Sequence, residues 1–412
     1  MKNLVILGAG TAGTIAANKL RKKLRKDEWA ITVVEPNDRH YYQPGYLFVP
    51  FEIYTEKKVS KRVAAFIPKG VTLLKEAVDR VEAEKNIVHL ANGATLPYDY
   101  LVIATGTSPR PDQTPGMAGA LWHDTVHSFY TFDDAVALRE KLKGFEGGRV
   151  IVHITEMPIK CPVAPLEFAF LADAYFTKRG IRNKVDLIFA TPLPGAFTKP
   201  VAAATLGDML EKKGIALEPD FMIESVDEDK SSIVSYDGRE LPFDLLVTIP
   251  LNMGADFVGK SGLGDELNHV IVNKETFVSP KFRNIFAVGD AAALPTSKAG
   301  AVAHYEMDLF PKNFLRHIEG KTMEEEFDGH ATCFIESGKG KGLLIDFNYA
   351  TEPLPGLFPL PVVGPLRLLR EGRINHLGKL AFRFVYWALL LPGRYIPMSP
   401  YMSMRGKKRP AS

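Results

Sequence analysis

An α/β protein with two domains of parallel sheet is the fold this sequence predicts, and three observations predict it. Leu4-Val5-Ile6-Leu7 is an apolar strand that ends in Gly8, Gly10 and Gly13 and runs at once into an alanine-rich helical pattern. A second buried strand, residues 149–154, opens another strand–helix unit further on. At 412 residues the chain also exceeds one ordinary core.

The glycines of the first unit carry chemistry. Gly8 permits the turn, Gly10 lets backbone approach a pyrophosphate, and Gly13 allows close helix–strand packing. The free N–H groups and the dipole of the helix start then face the phosphates. A second strand, residues 30–34, ends in Glu35, a carboxylate placed to accept a hydrogen bond from a ribose 2′-hydroxyl and to repel a 2′-phosphate. A glycine turn in some other parallel sheet is the plainer alternative; the strand, the helix and the acid together favour a Rossmann-like dinucleotide site.

Composition excludes several classes. With 46% hydrophobic and 24% charged residues the chain is globular. A net charge of +3, without a basic stripe interleaved with aromatics, gives no reason to expect nucleic acid. Met1-Lys2-Asn3 runs straight into the first strand, so no signal peptide and a cytoplasmic setting are expected. Cys161 and Cys333 fit no zinc spacing, and no metal is expected. In a reducing compartment a pair of them is a redox device before it is a structural staple.

Residues 67–74 and 77–90 suggest short strands, with a turn at Asn92-Gly93. A strand from Tyr98 ends in Ala104-Thr105-Gly106, and residues 109–119 read as a crossing linker. A helix over 133–142 leads into the strand 149–154. There a nicotinamide-binding domain would carry its own glycines; the chain instead reads Thr155-Glu156-Met157-Pro158-Ile159-Lys160-Cys161-Pro162, with no glycine before Gly180. Proline and bulky side chains keep backbone off a pyrophosphate. The second domain is therefore expected to keep the layout without a cofactor. Strands at 185–190 and 243–249 follow, then residues 284–288 closing in Gly289-Asp290, and a helix through 315. The expected division is 1–112 and 272–318 for the first domain, 113–271 for the second, and 319–412 for a C-terminal region.

Cys161 ends a strand and precedes a helix read as residues 162–178. Lys160 and the helix start favour a thiolate, as a sulfur nucleophile needs; a buried inert thiol is the alternative. Glu167, in the first turn of that helix, is either a surface acid or a proton acceptor. Cys333 by itself reads as a cysteine of a core strand. Near the C-terminus, residues 354–365 are proline-rich and apolar, and residues 380–391 form an aromatic–aliphatic run. That run is far short of the roughly 20 residues that span a bilayer. Its aromatics and the basic Arg405, Lys407, Lys408 and Arg409 suit a monotopic dock on anionic lipid, against the alternative of a core helix with a solvated tail.

Assembled, the N-terminal glycines with Glu35, Ala104-Thr105-Gly106 and Ala287-Val288-Gly289-Asp290 make the chain resemble the two-dinucleotide-domain disulfide reductase flavoproteins. Lys160-Cys161-Pro162 with Glu167, Thr296-Ser297-Lys298-Ala299-Gly300, Cys333-Phe334, and His376-Leu377-Gly378-Lys379-Leu380-Ala381-Phe382 make it most similar to their sulfide:quinone oxidoreductase branch. The resemblance implies FAD as cofactor, with Asp290 at its ribityl–pyrophosphate region and Lys298 near its ring. It implies Cys161 and Cys333 as a redox pair that oxidises hydrogen sulfide to polysulfide or sulfur. It implies a membrane quinone as acceptor, with Lys379 near it and Phe334 and Phe382 flanking its ring. A peripheral protein on the cytoplasmic side of a bilayer, assembled as a homo-oligomer, is expected. Many members carry a third cysteine and, four residues on, a histidine; here Tyr130 and Asp134 stand there. Two neighbouring readings stay open: a type II NADH:quinone oxidoreductase, which needs the glycines missing after Ile154, and a flavin-bearing persulfide carrier that hands sulfur to a protein partner.

Overall fold

The computed structural model describes residues 1–360 and 364–408. Two five-stranded parallel sheets form its frame. In the first, Lys2–Leu7 lies between Tyr100–Ile103 and Trp29–Val34, with Ile285–Ala287 and Thr72–Leu74 outside them. Leu4, Val5, Ile6 and Leu7 are all buried, as a strand covered on both faces requires. The chain leaves this sheet after Ile103, builds the second, and returns at Ile285. In the second sheet Gly148–Ile154 pairs with Val185–Ala190 on one side and Leu245–Ile249 on the other.

The C-terminal region adds a four-stranded sheet whose main part is the hairpin Ala331–Gly338 and Lys341–Phe347. Its turn, Lys339-Gly340, has φ +53° and +67°, the left-handed pair that suits the twist of a two-residue hairpin. Two helices clasp this hairpin: Ala164–Lys178 packs on the strand that carries Cys333, and Arg373–Val385 lies across both strands. One apolar core is continuous through all three parts, taking in Leu4, Val152, Phe168, Ile335 and Trp387. This continuity brings residue 379 beside residue 167.

Several expectations need adjusting. The strand expected over 67–74 is only Thr72–Leu74, because Pro68 and the turn at Gly70 (φ +83°) precede it. The helix after Cys161 starts at Ala164, with Pro165 in its first turn, so Cys161 stands before it. The C-terminal helix begins at Arg373 and passes into an i→i+5 turn, Tyr386–Leu390. The proline-rich stretch expected at 354–365 supplies Gly356–Phe358, while residues 361–363 and Arg409 lie outside the described residues.

The exposed side of the C-terminal helix also differs from the expectation. Tyr386 and Trp387 turn inward, packed among His40, Tyr42 and Phe66. The outward stripe is Ile374, Leu377, Ala381, Phe384 and Ala388, at the 3–4 spacing of one helix face. Lys407 is not a free basic group: its ammonium is buried in an ion pair with Asp346.

Candidate active site

The carboxyl ends of the first sheet open into a cavity, where open α/β sheets bind their ligands. With its open mouth it encloses about 1070 Å³ free of protein atoms, part of it solvent. Of the residues singled out from the sequence, Gly10, Ala104, Thr105, Gly106, Cys161, Glu167, Gly289, Asp290, Lys298 and Lys379 line it. Gly8, Gly13, Glu35, Cys333, Phe334 and Phe382 do not.

The glycines divide the work sterically. Gly8 has φ +96°, and a Cβ there would meet the Ala104 carbonyl oxygen at 2.6 Å. A Cβ on Gly13 would sit 2.0 Å from the Gly8 carbonyl oxygen, so this glycine sets the helix–strand distance. A Cβ on Gly10 would meet nothing within 4 Å, since it would project into the cavity. The helix Thr11–Arg21 has no side-chain cap, which leaves its first N–H groups to a ligand. Glu35 accepts from the Ala9 N–H at 2.9 Å and from the Asn37 backbone and side-chain N–H groups at 2.9 and 2.8 Å. It braces the glycine loop and retains lone pairs for a ribose.

The opposite wall is Gly289 (φ +66°), Asp290 and Lys298. The Lys298 ammonium donates to the carbonyls of Asp290 and Ala292, at 2.8 and 3.0 Å. Burial pushes the Asp290 carboxyl up, against the pull of Lys298 and Lys160. The Thr105 and Thr107 hydroxyls, which border the cavity, are buried with no partner in the protein. Uncapped helix N–H groups, an open Gly10 and unsatisfied hydroxyls together fit a dinucleotide.

Cys161 lines this cavity from a left-handed backbone position, φ +46°. Three hydrogen bonds hold that conformation. Its N–H donates to the Lys298 carbonyl at 2.7 Å, and its carbonyl accepts from the Ala164 N–H at 2.8 Å and the Tyr130 hydroxyl at 3.2 Å. Tyr130 therefore braces Cys161. Asp134, the other position of the expected cysteine–histidine pair, turns away to His123 at 2.8 Å.

The electrostatics correct one expectation. Burial pushes the Cys161 thiol up, Glu167 and Cys333 add to the shift, and Lys379 opposes it. Lys160 is directed to Gln43 Oε1 at 3.2 Å and does not bias Cys161 toward thiolate. Cys333 lies behind Cys161, buried, and burial together with Glu167 pushes its thiol up to about 12. Both thiols are free. The Lys379 ammonium favours thiolate on both, helped by the Ala164 N–H at Cys161 and by Ser297 at Cys333.

Glu167 is fully inside the protein, so it is not a surface acid. Its Oε1 accepts from the Lys379 ammonium and, at 2.6 Å, from the Glu336 N–H. Burial pushes the carboxyl up to about 7, against the pull of Lys379. Lys379 stays protonated because Glu167, Cys161 and Glu336 outweigh its own burial, and it also donates to the Phe334 carbonyl at 3.0 Å. The Phe334 ring lies on the C-terminal helix, where a Cβ on Gly378 would come within 2.8 Å of it. Phe382 packs toward Tyr42, ring centres 6.4 Å apart. Neither phenylalanine lines the cavity.

Sequence reasoning missed Tyr130 as a brace, Glu336, and Tyr386. The Tyr386 hydroxyl bonds Thr11 Oγ1 at 2.8 Å and His40 Nε2 at 2.7 Å, tying the C-terminal helix to the glycine loop. None of the three carries a local signal. Their neighbours are hundreds of positions away or on another element.

The model of the pyridine nucleotide-disulphide oxidoreductase family matches residues 2–306. The chain is 29% identical over 400 residues to the mitochondrial sulfide:quinone oxidoreductase of Dictyostelium discoideum, covering 95% of this chain and 86% of that one. It is 25% identical over 397 residues to the mitochondrial enzyme of the same name from Mus musculus, with the same coverage. The X-ray structure of the sulfide:quinone oxidoreductase from Aquifex aeolicus superposes with a TM-score of 0.81 at 22% identity, covering 96% of this chain and 92% of that one. A dinucleotide cradle with Cys161 in its wall, on a chain matched by that family over both sheets, places this protein in the pyridine nucleotide-disulphide oxidoreductase family, as a flavin oxidoreductase.

Proposed function

We propose that this protein binds FAD in the cavity and oxidises sulfide through Cys161 and Cys333, with a membrane quinone as electron acceptor. The observation that carries the reading is Cys161 in the wall of the dinucleotide cavity, beside the Glu167–Lys379 pair. Gly10, Thr105, Gly289, Asp290 and Lys298 would hold the cofactor. Residues 1–112 and 272–318 form its domain, 113–271 present Cys161, and 319–412 present Cys333 and the quinone side with Phe334, Lys379 and Phe382.

Sulfide chemistry starts from the disulfide form of the pair. Hydrosulfide sulfur attacks Cys161, the Cys161–Cys333 bond breaks, and Cys161 is left as a persulfide while Cys333 leaves with the bonding electron pair. Glu167 takes the proton of incoming hydrogen sulfide, and Lys379 offsets the charge on Cys333. The pair must then lose two electrons to be oxidised again, and bound FAD supplies the acceptor that quinone regenerates. Each loss of two electrons joins the persulfide sulfur to Cys333 again. A further hydrosulfide attacks that bridging sulfur with Cys333 leaving, and the chain on Cys161 grows by one sulfur per round until polysulfide or sulfur leaves.

A quinone is drawn from lipid, and the outward stripe of Ile374, Leu377, Ala381, Phe384 and Ala388 is shaped to rest on it. Among the described residues no helix is long and apolar enough to cross a membrane, so the proposed association is monotopic.

The test is an anaerobic titration of the flavin spectrum. Sulfide should bleach it, a short-chain quinone should restore it, and NADH should leave it unchanged. Cys161→Ser with its flavin retained should not bleach with sulfide. Bleaching by NADH and not by sulfide would overturn the reading in favour of the NADH:quinone type. Bleaching by sulfide that no quinone reverses would point to a persulfide carrier.

A further inference from the structure

Four ionisable side chains stand in file from the cavity wall to the surface, and the reaction above uses only the first two. Glu167 faces the cavity and is bonded to Lys379. Lys379 also bonds the carbonyl of Phe334, two residues from Glu336 on the same strand, and its charge acts on both carboxylates. The Glu336 carboxylate is 1% exposed, and both its oxygens meet His376 Nδ1, at 3.0 and 2.9 Å. His376 lies one turn before Lys379 on the helix Arg373–Val385, with a fifth of its side chain reaching solvent.

A buried acid with a histidine leading outward is costly to keep unless something uses it. Oxidising hydrogen sulfide to the level of sulfur releases two protons with the two electrons. A bound dinucleotide would fill the cavity through which those protons could otherwise leave. We propose that Glu336 and His376 complete a proton path from Cys161 and Glu167 to solvent, through the contact of the hairpin with the C-terminal helix. The proposal rests on the reading of Cys161 as the residue that handles sulfur.

The proton balance is simple. Hydrogen sulfide gives a proton to the Glu167 carboxylate. Lys379 forms no ion pair with Glu336 in this structure. Swinging from the Phe334 carbonyl to the Glu336 carboxylate, it delivers one of its protons there, then returns to take up the proton on Glu167. Glu336 passes its proton to His376 Nδ1, and Nε2 releases one to water. Burial already pushes the Glu336 carboxyl up, against Lys379 and His376, which readies it to accept.

The groups facing this file are few. Tyr54 packs from the loop after Phe48, its hydroxyl donating to the Leu380 carbonyl at 3.3 Å. Arg383 stands one turn beyond Lys379, its guanidinium 5.3 Å from the Tyr54 ring. Cys161 and Cys333 lie on the cavity side, and Lys341 and Glu371 pair with each other at the surface.

The test uses the flavin-loaded enzyme with His376→Ala and Glu336→Gln in anaerobic stopped flow. The expected result is that His376→Ala slows bleaching by sulfide about tenfold, a modest loss for a proton-transfer group. Added imidazole should restore the rate in His376→Ala and not in Glu336→Gln, while dithionite reduces all three proteins alike. An unchanged rate in His376→Ala, or a loss that imidazole does not restore, overturns the proposal. A second arm needs no sulfide: alkylation of Cys161 by iodoacetamide, followed against pH by peptide mass spectrometry. Removing the Glu336 charge should move its midpoint down by about half a unit, ~0.7 kcal/mol of coupling, and no movement counts against the path. If wild-type flavin does not bleach with sulfide, the reading of function fails, and the alkylation arm alone decides whether the four groups are coupled.

Discussion

Lys379 donates a hydrogen bond to Glu167 inside the protein, across 212 positions of sequence. The pair joins the C-terminal helix to the helix that follows Cys161, and it sets the charge at the cavity wall. Replacing the lysine by methionine removes the group that pulls Glu167 down, so its carboxyl rises further above the value of about 7 it has now. A carboxyl whose folded value lies above its unfolded value stabilises the fold below the unfolded value, and that contribution is lost as pH rises through the folded one. Lys379→Met is therefore expected to cost little at pH 5, where Glu167 is protonated. At pH 8 it should cost about 1.4 kcal/mol more than at pH 5, the free energy of keeping protonated a carboxyl that in the wild type already titrates at about 7. Thermal melts at the two pH values check this, and Glu167→Gln added to Lys379→Met should recover most of the loss at pH 8.

The glycine loop allows a clean separation of folding from binding. Gly10→Ala places its methyl group in open cavity, at φ −69°, which alanine adopts freely. It should melt like the wild type when stripped of flavin, yet bind flavin at least tenfold more weakly. Gly13→Ala drives a methyl group into the Gly8 carbonyl. It should lose about 2 kcal/mol or more even without flavin, since backbone must move. Fluorescence titration of flavin and melts of the stripped proteins distinguish the two.

These glycines also show what a sequence can reveal. Their roles follow from one contiguous strand–turn–helix, so spacing alone locates them, and the parallel sheets follow from apolar runs in the same way. Cys161 was legible as a candidate, but its environment was not. Lys160 is adjacent in sequence, yet it points to Gln43, while the cation that governs the thiol comes from residue 379. Glu167 could be read as a surface acid or a proton acceptor because burial comes from the hairpin packed over it. Glu336, an acid in a strand, looks like any solvent-facing residue until His376 and Lys379 are folded against it. The inward turn of Tyr386 and Trp387 was illegible for the same reason. Composition marks an amphipathic run, but only the neighbours decide which face is wet.

The tail is locked by a second buried pair. Lys407 meets Asp346 with both side chains almost fully enclosed, and His330 and Thr332 also bond the carboxylate, at 2.7 and 2.6 Å. Although burial works against it, His330 and Lys407 hold the Asp346 carboxyl below its ordinary value. Its stabilising contribution is therefore present at neutral pH and lost as pH falls through the folded value. Lys407→Ala should lower stability by about 3 kcal/mol at pH 7 and by less at pH 4. Trypsin should then cut at Arg405 in the variant and spare it in the wild type, as gel mobility would show.

The outward face of the C-terminal helix makes the last expectation independent of the redox chemistry. Ile374, Leu377 and Phe384 are 53, 61 and 63% exposed, while the same helix turns Lys379 and Asn375 inward. Exposed apolar side chains at helical spacing gain by entering a lipid headgroup boundary, at about 25 cal/mol per Å² of apolar surface covered. Leu377→Glu with Phe384→Glu reverses that gain and touches neither the cavity nor the Glu167–Lys379 pair. The double variant should no longer sediment with anionic vesicles. Its sulfide-driven reduction of a water-soluble short-chain quinone should stay within about twofold of the wild type, because that acceptor does not come from lipid. Turnover with a long-chain quinone held in vesicles should fall at least tenfold. Unchanged vesicle binding would mean that this stripe is not the docking face.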